Sequence, residues 1–236
     1  MKNLLYLIPI VIIMFACNSG NKPKLVYDAS ENPKESKNDS SLMQVVDLPF
    51  HIDSTQYLIH AVGTYTLQTS RSAKFFSSES GSWGSFSVLS DYGDRVSGNL
   101  HNLKFQHLDS QNLRSLTKSE IRISQFNFLR GIYNKTKKSY IIYRVIDKDT
   151  NQDQELNNHD IESLYLSFQD GTGFIKLTPK NHELIDWKEL PVAKRVYFRT
   201  LEDTNKNGEF DKEDQIHYHY LQFDNLGYRI DSYQPL

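Results

Sequence analysis

Two stretches of this 236-residue chain carry oxygen-bearing side chains at the spacing that a hard cation needs. In residues 203–214, Asp203, Asn205 and Asn207 stand at positions 1, 3 and 5 of a twelve-residue loop. Gly208 follows at position 6, Glu209 at 7, Phe210 at 8, Asp211 at 9 and Asp214 at 12. Calcium takes roughly six to eight oxygens at about 2.3–2.6 Å, and alternate side chains converge on it as a chain curls. Position 7 supplies a backbone carbonyl, position 9 often acts through water, and position 12 closes the shell with a carboxylate. Glycine at position 6 permits the positive φ of the sharp turn. The apolar residue at position 8 is expected to pack the loop onto the body.

Residues 149–160 repeat the layout, with Asp149, Asn151 and Asp153 at positions 1, 3 and 5. Glu155 is at position 7, Leu156 at 8, Asn157 at 9 and Asp160 at 12. Position 6 is Gln154, where a non-glycine residue costs about 1 kcal/mol of backbone strain. Asp153 adds a charge that Asn207 lacks, so the order of affinity of the two loops is open. Both loops resemble the EF-hand, and their closing Asp resembles the dockerin version. Apolar alternation surrounds them in place of paired amphipathic helices, which argues against a sensor that opens a helix pair. The expectation is two calcium ions acting as a constitutive staple, in a compartment where calcium is abundant. Extracellular modules of this type bind it at about 10⁻⁴–10⁻³ M.

Other chemistry is sparse. His182-Glu-Leu-Ile-Asp186 resembles a zinc-protease helix but lacks its second histidine. His217 and His219 alternate on one strand face and could ligate a metal, although cross-strand pairing with aromatics is commoner there. Neither a G-x-S-x-G elbow nor a phosphate-binding glycine loop occurs. Phe75, Phe76, Trp83, Phe86 and Tyr92, in the segment 63–98, could form a ligand surface or fill the core of an atypical repeat.

The elements that position the loops form a repeat. A shift of 54 residues lays Lys194–Asp214 on Tyr140–Asp160, with Tyr143 on Tyr197 and Asp149 on Asp203. The likeness continues from Ile161–Phe168 to Ile216–Phe223, then through a turn into Phe174–Leu177 or Tyr228–Ile230. The unit is strand, loop, strand, tight turn, strand. A degenerate copy uses Tyr57–Val62, Leu103–Leu108, the turn Asp109–Asn112 and Leu113–Thr117, with the 63–98 segment in place of a calcium loop. Short strands with turn signals between them predict an all-β fold. A repeat of this length suggests a small or incomplete β-propeller-like array; a β-sandwich is the alternative.

The chain before residue 45 has a different character. Lys2 precedes an apolar run from Leu4 to Phe15, too short to span a bilayer and of signal-peptide proportions. Ala16-Cys17 resembles a bacterial lipobox, which makes residues 1–16 a signal and Cys17 a lipidated N-terminus. Residues 17–44 are polar and predict a flexible tether, and 45–236 the β-domain. Cys17 is the only cysteine, so no intrachain disulfide forms. A formal net charge of −2 argues against a nucleic-acid partner.

The stretches 102–117, 143–167 and 197–221 resemble uncharacterised lipoproteins of the Bacteroidota. Related envelope proteins place similar loops between strands of Tol-type or WD40-like blades, which implies a propeller-like fold and no particular activity. Asn18–Lys24 lacks the acidic residues associated with surface export, so the expected location is the outer membrane, facing the periplasm. The expected role is non-enzymatic binding of a protein or glycan. An envelope hydrolase with a dispersed site and a calcium-dependent adhesin are the alternatives.

Overall fold

The computed structural model describes residues 23–27, 42–66, 77–78 and 93–236. The elements in order are β1 (Leu42–Val46), β2 (Phe50–His51), β3 (Tyr57–Thr66), β4 (Ser77–Ser78) and β5 (Arg95–His107). Next come β6 (Leu113–Ser115), β7 (Arg122–Phe128), a short helix α1 (Arg130–Thr136), β8 (Tyr140–Ile146), β9 (Glu162–Phe168) and β10 (Ile175–Lys176). The chain ends with β11 (His182–Leu190), β12 (Arg195–Glu202), β13 (Gln215–Phe223) and β14 (Tyr228–Tyr233). Every strand pairing among the described residues is antiparallel.

The strands form two open sheets. The larger runs β1-β3-β5-β7-β8-β9-β10, with β2 and β4 on β3 and β6 on β5. The smaller is the meander β11-β12-β13-β14. The all-β expectation therefore holds, and the paired sheets suit a sandwich-like or open array. The degenerate copy and the first calcium-loop copy lie in one hydrogen-bonded sheet, joined where Val96 of β5 faces Phe126 of β7. Separate propeller blades would not share such a ladder.

The repeat is visible in backbone detail. After β5, the Ser110 amide donates to the His107 carbonyl and Leu116 donates to Leu103. After β9, Gly171 donates to Phe168 and Leu177 to Leu164, which is the same pattern 61 residues on. Both Leu116 and Leu177 are buried. Gly171 holds φ at +75°, and a Cβ there would sit 2.4 Å from the Phe105 ring, so the turn needs glycine twice over.

β8 is the strand on which both halves rest. A strand presents alternate residues to opposite faces. Ile141, Tyr143 and Val145 face a core built with Ile59, Leu103, Phe105, Ile123 and Phe126. Tyr140 and Ile142 face the other way, into a core with Leu164, Leu166, Leu184, Val196, Phe198, Leu221 and Phe223. The run Tyr-Ile-Ile-Tyr-Arg-Val-Ile is thus apolar on both faces because both are covered. Helix α1 locks the second junction: the Ile132 amide donates to Glu189 Oε1 of β11 at 2.6 Å. A Cβ on Gly131 would fall 2.2 Å from Pro191, so this approach too requires glycine.

Strand β1 starts at Leu42, paired with Thr66, three residues before the expected start of the β-domain. Strands β7 and β11, which complete each unit on its N-terminal side, carry no loop motif and were not foreseen.

Because β8 separates two cores, neighbouring substitutions on its opposite faces should be equally damaging. Ile141→Ala and Ile142→Ala, each fully buried, should both cost about 2–5 kcal/mol in denaturant unfolding. A strand with one wet face would lose stability at only one of them.

Candidate calcium loops and their clasp

Both loops are hairpin connections, one joining β8 to β9 and the other β12 to β13. Several of their internal hydrogen bonds match position for position. The position 6 amide donates to the position 1 carboxylate: Gln154 to Asp149 Oδ2 at 2.9 Å, Gly208 to Asp203 Oδ2 at 2.7 Å. The Asp153 backbone amide donates to Asn151 Oδ1 as the Asn207 amide does to Asn205 Oδ1, both at 2.9 Å. The Glu155 amide donates to Asp153 Oδ1 at 3.0 Å and the Glu209 amide to Asn207 Oδ1 at 2.7 Å. The closing aspartates bind the loop's own ends: the Thr150 and Asn157 amides donate to the Asp160 carboxylate, and the Thr204 and Asp211 amides to that of Asp214. The positive φ values also coincide, at Gln152 and Lys206 and again at Gln154 and Gly208. Thus Gln154 adopts at φ 73° the conformation Gly208 holds at 82°.

The residue types, all offering oxygen, suit a hard cation, but no three carboxylates of either loop converge within 4.8 Å, and the spare oxygen is found in loop one alone. Asp149 Oδ1 is buried without any hydrogen-bond partner, while its Oδ2 is held by the position 6 amide. An oriented carboxylate with one oxygen spare is what a hard cation requires, and such an atom is costly to bury otherwise. Asp160 is fully buried. Burial raises its pKa, against the pull of three backbone amides, and the charge of Asp149 adds to the rise. At Asp153 burial also pushes upward, but hydrogen bonds from Asn151, the Glu155 amide and Asn157 outweigh it and leave the carboxyl below its ordinary value. A bound calcium would be held by Asp149, Asn151, Asp153, the Glu155 carbonyl, Asn157 and Asp160, and by Asp203, Asn205, Asn207, the Glu209 carbonyl, Asp211 and Asp214. It would neutralise these clustered charges.

A feature absent from the sequence reading crosses both loops. Residues Pro23–Tyr27 form a strap. The Lys24 and Leu25 amides donate to the Gly208 carbonyl at 2.7 and 3.1 Å, and the Val26 amide donates to the Thr150 carbonyl at 2.9 Å. Thr150 Oγ1 returns a bond to the Lys24 carbonyl at 2.8 Å. Tyr27 donates its hydroxyl to Asp203 Oδ2 at 3.0 Å. Its own burial, then that bond, push the phenol up to about 12. Lys24 Nζ pairs with Glu183 Oε1 at 2.6 Å. Glu183 Oε2 also accepts the Glu162 amide of β9, so one carboxylate of β11 ties the strap to both sheets. Leu25 is buried. These five residues lie within the 17–44 stretch expected to be a tether. Their backbone groups find fixed partners that a polar composition does not reveal.

Gly208 acquires a second role here. A Cβ at Gly208 would lie 2.2 Å from the Leu25 carbonyl oxygen. Loop one meets the strap at position 2, through Thr150, and so has room for Gln154.

The remaining candidates separate. Cys17, Phe75, Phe76, Trp83, Phe86 and Tyr92 lie outside the described residues. His182 opens strand β11 rather than a helix, which accounts for the incomplete zinc-protease motif. His219 stacks on Phe198, with centroids 4.8 Å apart. Its Nε2 contacts Thr200 Oγ1 and its Nδ1 contacts Ser232 Oγ. Tyr197, Tyr218, Tyr220 and Tyr233 share the outer face of the smaller sheet, with Arg195 over the Tyr220 ring at 4.2 Å. A hollow of about 340 Å³ is lined chiefly by Tyr140, Phe168, Phe174, Ile175 and Tyr228. No helix among the described residues is long and apolar enough to cross a membrane. Comparison with protein-family models, curated proteins and solved structures finds no match to the chain.

Two outcomes follow from this geometry. Gly208→Ala should drive the strap off, which amide hydrogen exchange at Lys24, Leu25 and Val26 will report as lost protection. Equal protection in wild type and variant would contradict the docking. The second outcome concerns His219, whose pKa falls from 6.5 to about 4 through burial, then the charges of His217 and His182. Between those values the unfolded chain binds a proton that the folded one refuses, so stability falls as pH drops through this window and levels below it. Denaturant unfolding across that pH range should show wild type losing stability relative to His219→Gln.

Proposed function

We propose that this protein is a membrane-tethered envelope module whose β-body is clasped to its anchor by two calcium loops, and that it binds a protein or glycan. The observation that carries the reading is the strap. A single stretch of five residues crosses two loops of the same internal geometry, one of which holds a buried, unpartnered carboxylate oxygen. Calcium would hold each loop curled, and the curl is what turns the Gly208 and Thr150 carbonyls outward to receive the strap. Loss of calcium would leave Asp149, Asp153, Asp160, Asp203, Asp211 and Asp214 to repel one another, and the strap would lose its seat.

The position of the strap gives the tether a length. Pro23 is six residues beyond Cys17. An extended chain covers at most about 3.6 Å per residue, so a lipidated Cys17 would hold the loop edge within about 20 Å of the membrane surface. The body would then be oriented rather than loosely hung. The tyrosine face of the smaller sheet supports the binding role, since amphipathic rings beside arginines suit both glycans and proteins. The resemblance to Bacteroidota lipoproteins agrees with this reading and with an outer-membrane location facing the periplasm.

Calorimetric titration of the mature chain tests the clasp. Wild type should take up two calcium ions, and the Asp149→Ala, Asp203→Ala double variant none. Chelator should lower the melting temperature, since an ion that binds only the folded state stabilises it by mass action. Melting that ignores chelator would remove calcium from the account. In cell fractionation, wild type should sediment with membranes and Cys17→Ala should not.

A further inference from the structure

The inner face of the smaller sheet carries polar side chains at its loop end. His182 begins β11, Glu202 ends β12 and lies directly opposite it, and His217 of β13 lies opposite Thr200. Period-two alternation puts all four on one face. One ligand atom from each of His182, Glu202 and His217 lies within 4.8 Å of the others, and no other such group occurs among the described residues. His217 Nε2 is 2.7 Å from Glu202 Oε2, and the two imidazole rings are 5.0 Å apart. The side chains of His217 and Glu202 are 27% and 44% exposed, so an ion can reach them from solvent.

We propose that His182, His217 and Glu202 bind a divalent transition metal of the zinc class, separate from the calcium loops. Two imidazoles and one carboxylate are the donors that borderline ions take, whereas calcium selects oxygen alone. Three protein ligands leave a coordination position for water or for a ligand from outside. The surroundings orient the donors as a metal site needs. His182 Nδ1 contacts Thr200 Oγ1 at 3.1 Å, which leaves Nε2 as the nitrogen for the ion. Thr200 Oγ1 also meets His219 Nε2 at 3.2 Å, and His219 Nδ1 meets Ser232 Oγ at 2.9 Å. This relay across β11, β12, β13 and β14 holds the His182 ring by its far side. Glu202 immediately precedes Asp203, position 1 of the second loop, so the end of one strand would serve both ions.

The test uses the mature chain in excess calcium, so that oxygen-only sites are already satisfied. Titration with zinc should give one further ion per chain, and cobalt(II) in its place should show the visible absorption of nitrogen-ligated, low-coordinate metal. His182→Ala and His217→Ala should each weaken zinc by more than about 100-fold, beyond what outer-shell changes typically cause. Thr200→Val should weaken it by about tenfold. Asp149→Ala with Asp203→Ala should leave zinc uptake intact, which separates this site from the clasp. Unaltered calcium stoichiometry in the histidine variants shows that they remain folded. If they do not, Glu202→Gln decides the question, because it preserves shape while removing the charge. A chain that takes up no zinc in calcium, zinc uptake that survives His217→Ala, or a cobalt spectrum identical in Glu202→Gln and wild type would overturn the proposal.

Discussion

The burial of β8 on both faces governs the rest of the molecule. Ile141, Tyr143 and Val145 complete one core and Tyr140 and Ile142 the other, so the strand is a shared wall. The smaller sheet can pack only where β8 and β9 present the second face. That packing brings the end of the β12–β13 hairpin beside the end of the β8–β9 hairpin, near enough for five residues to bridge Thr150 and Gly208. The two loops are neighbours because two cores share a strand. Neither loop contains information about the other.

The repeat also shows how one local pattern behaves in two environments. Most of the loop hydrogen bonds coincide, although Asp160 is fully buried and Asp214 is partly exposed. Short-range bonds between carboxylates and amides two to ten residues apart set the loop conformation, and burial is added afterwards. The strands behave differently. Tyr143 is enclosed and bonds Ser167 Oγ at 2.6 Å, whereas its counterpart Tyr197 lies on an outer face among Tyr220, Tyr233 and Arg195. Position 6 follows the same division. Gln154 bears strain on the order of 1 kcal/mol for its positive φ, while Gly208 is required by an approaching backbone as well.

Much of this was legible in the residues. The twelve-residue spacing, the offset of 54 and the turn after each copy all describe interactions local in sequence. The turns after β5 and β9 even keep their backbone bonds in the degenerate copy. The strap was not legible, because Pro23–Tyr27 buries one leucine, docks through backbone groups that every sequence possesses, and adds only two side-chain contacts, Lys24 to Glu183 and Tyr27 to Asp203, whose partners lie 159 and 176 residues away. The His182–Glu202–His217 group was not legible: the His182 motif fails for want of a second histidine in its own segment, and His217, 35 positions away on another strand, pairs in sequence with His219.

The sequence by itself determined the loops, the strand alternation and the order of the repeat, since each depends on contacts among residues close along the chain. The tertiary structure alone decided that two copies share one sheet, that the third stacks across β8, and that a stretch composed like a tether straps both loops. The physical reason is that sheet pairing and backbone docking are satisfied by amides and carbonyls common to all residues. Their partners are chosen by which apolar faces must be covered, a condition of the whole chain.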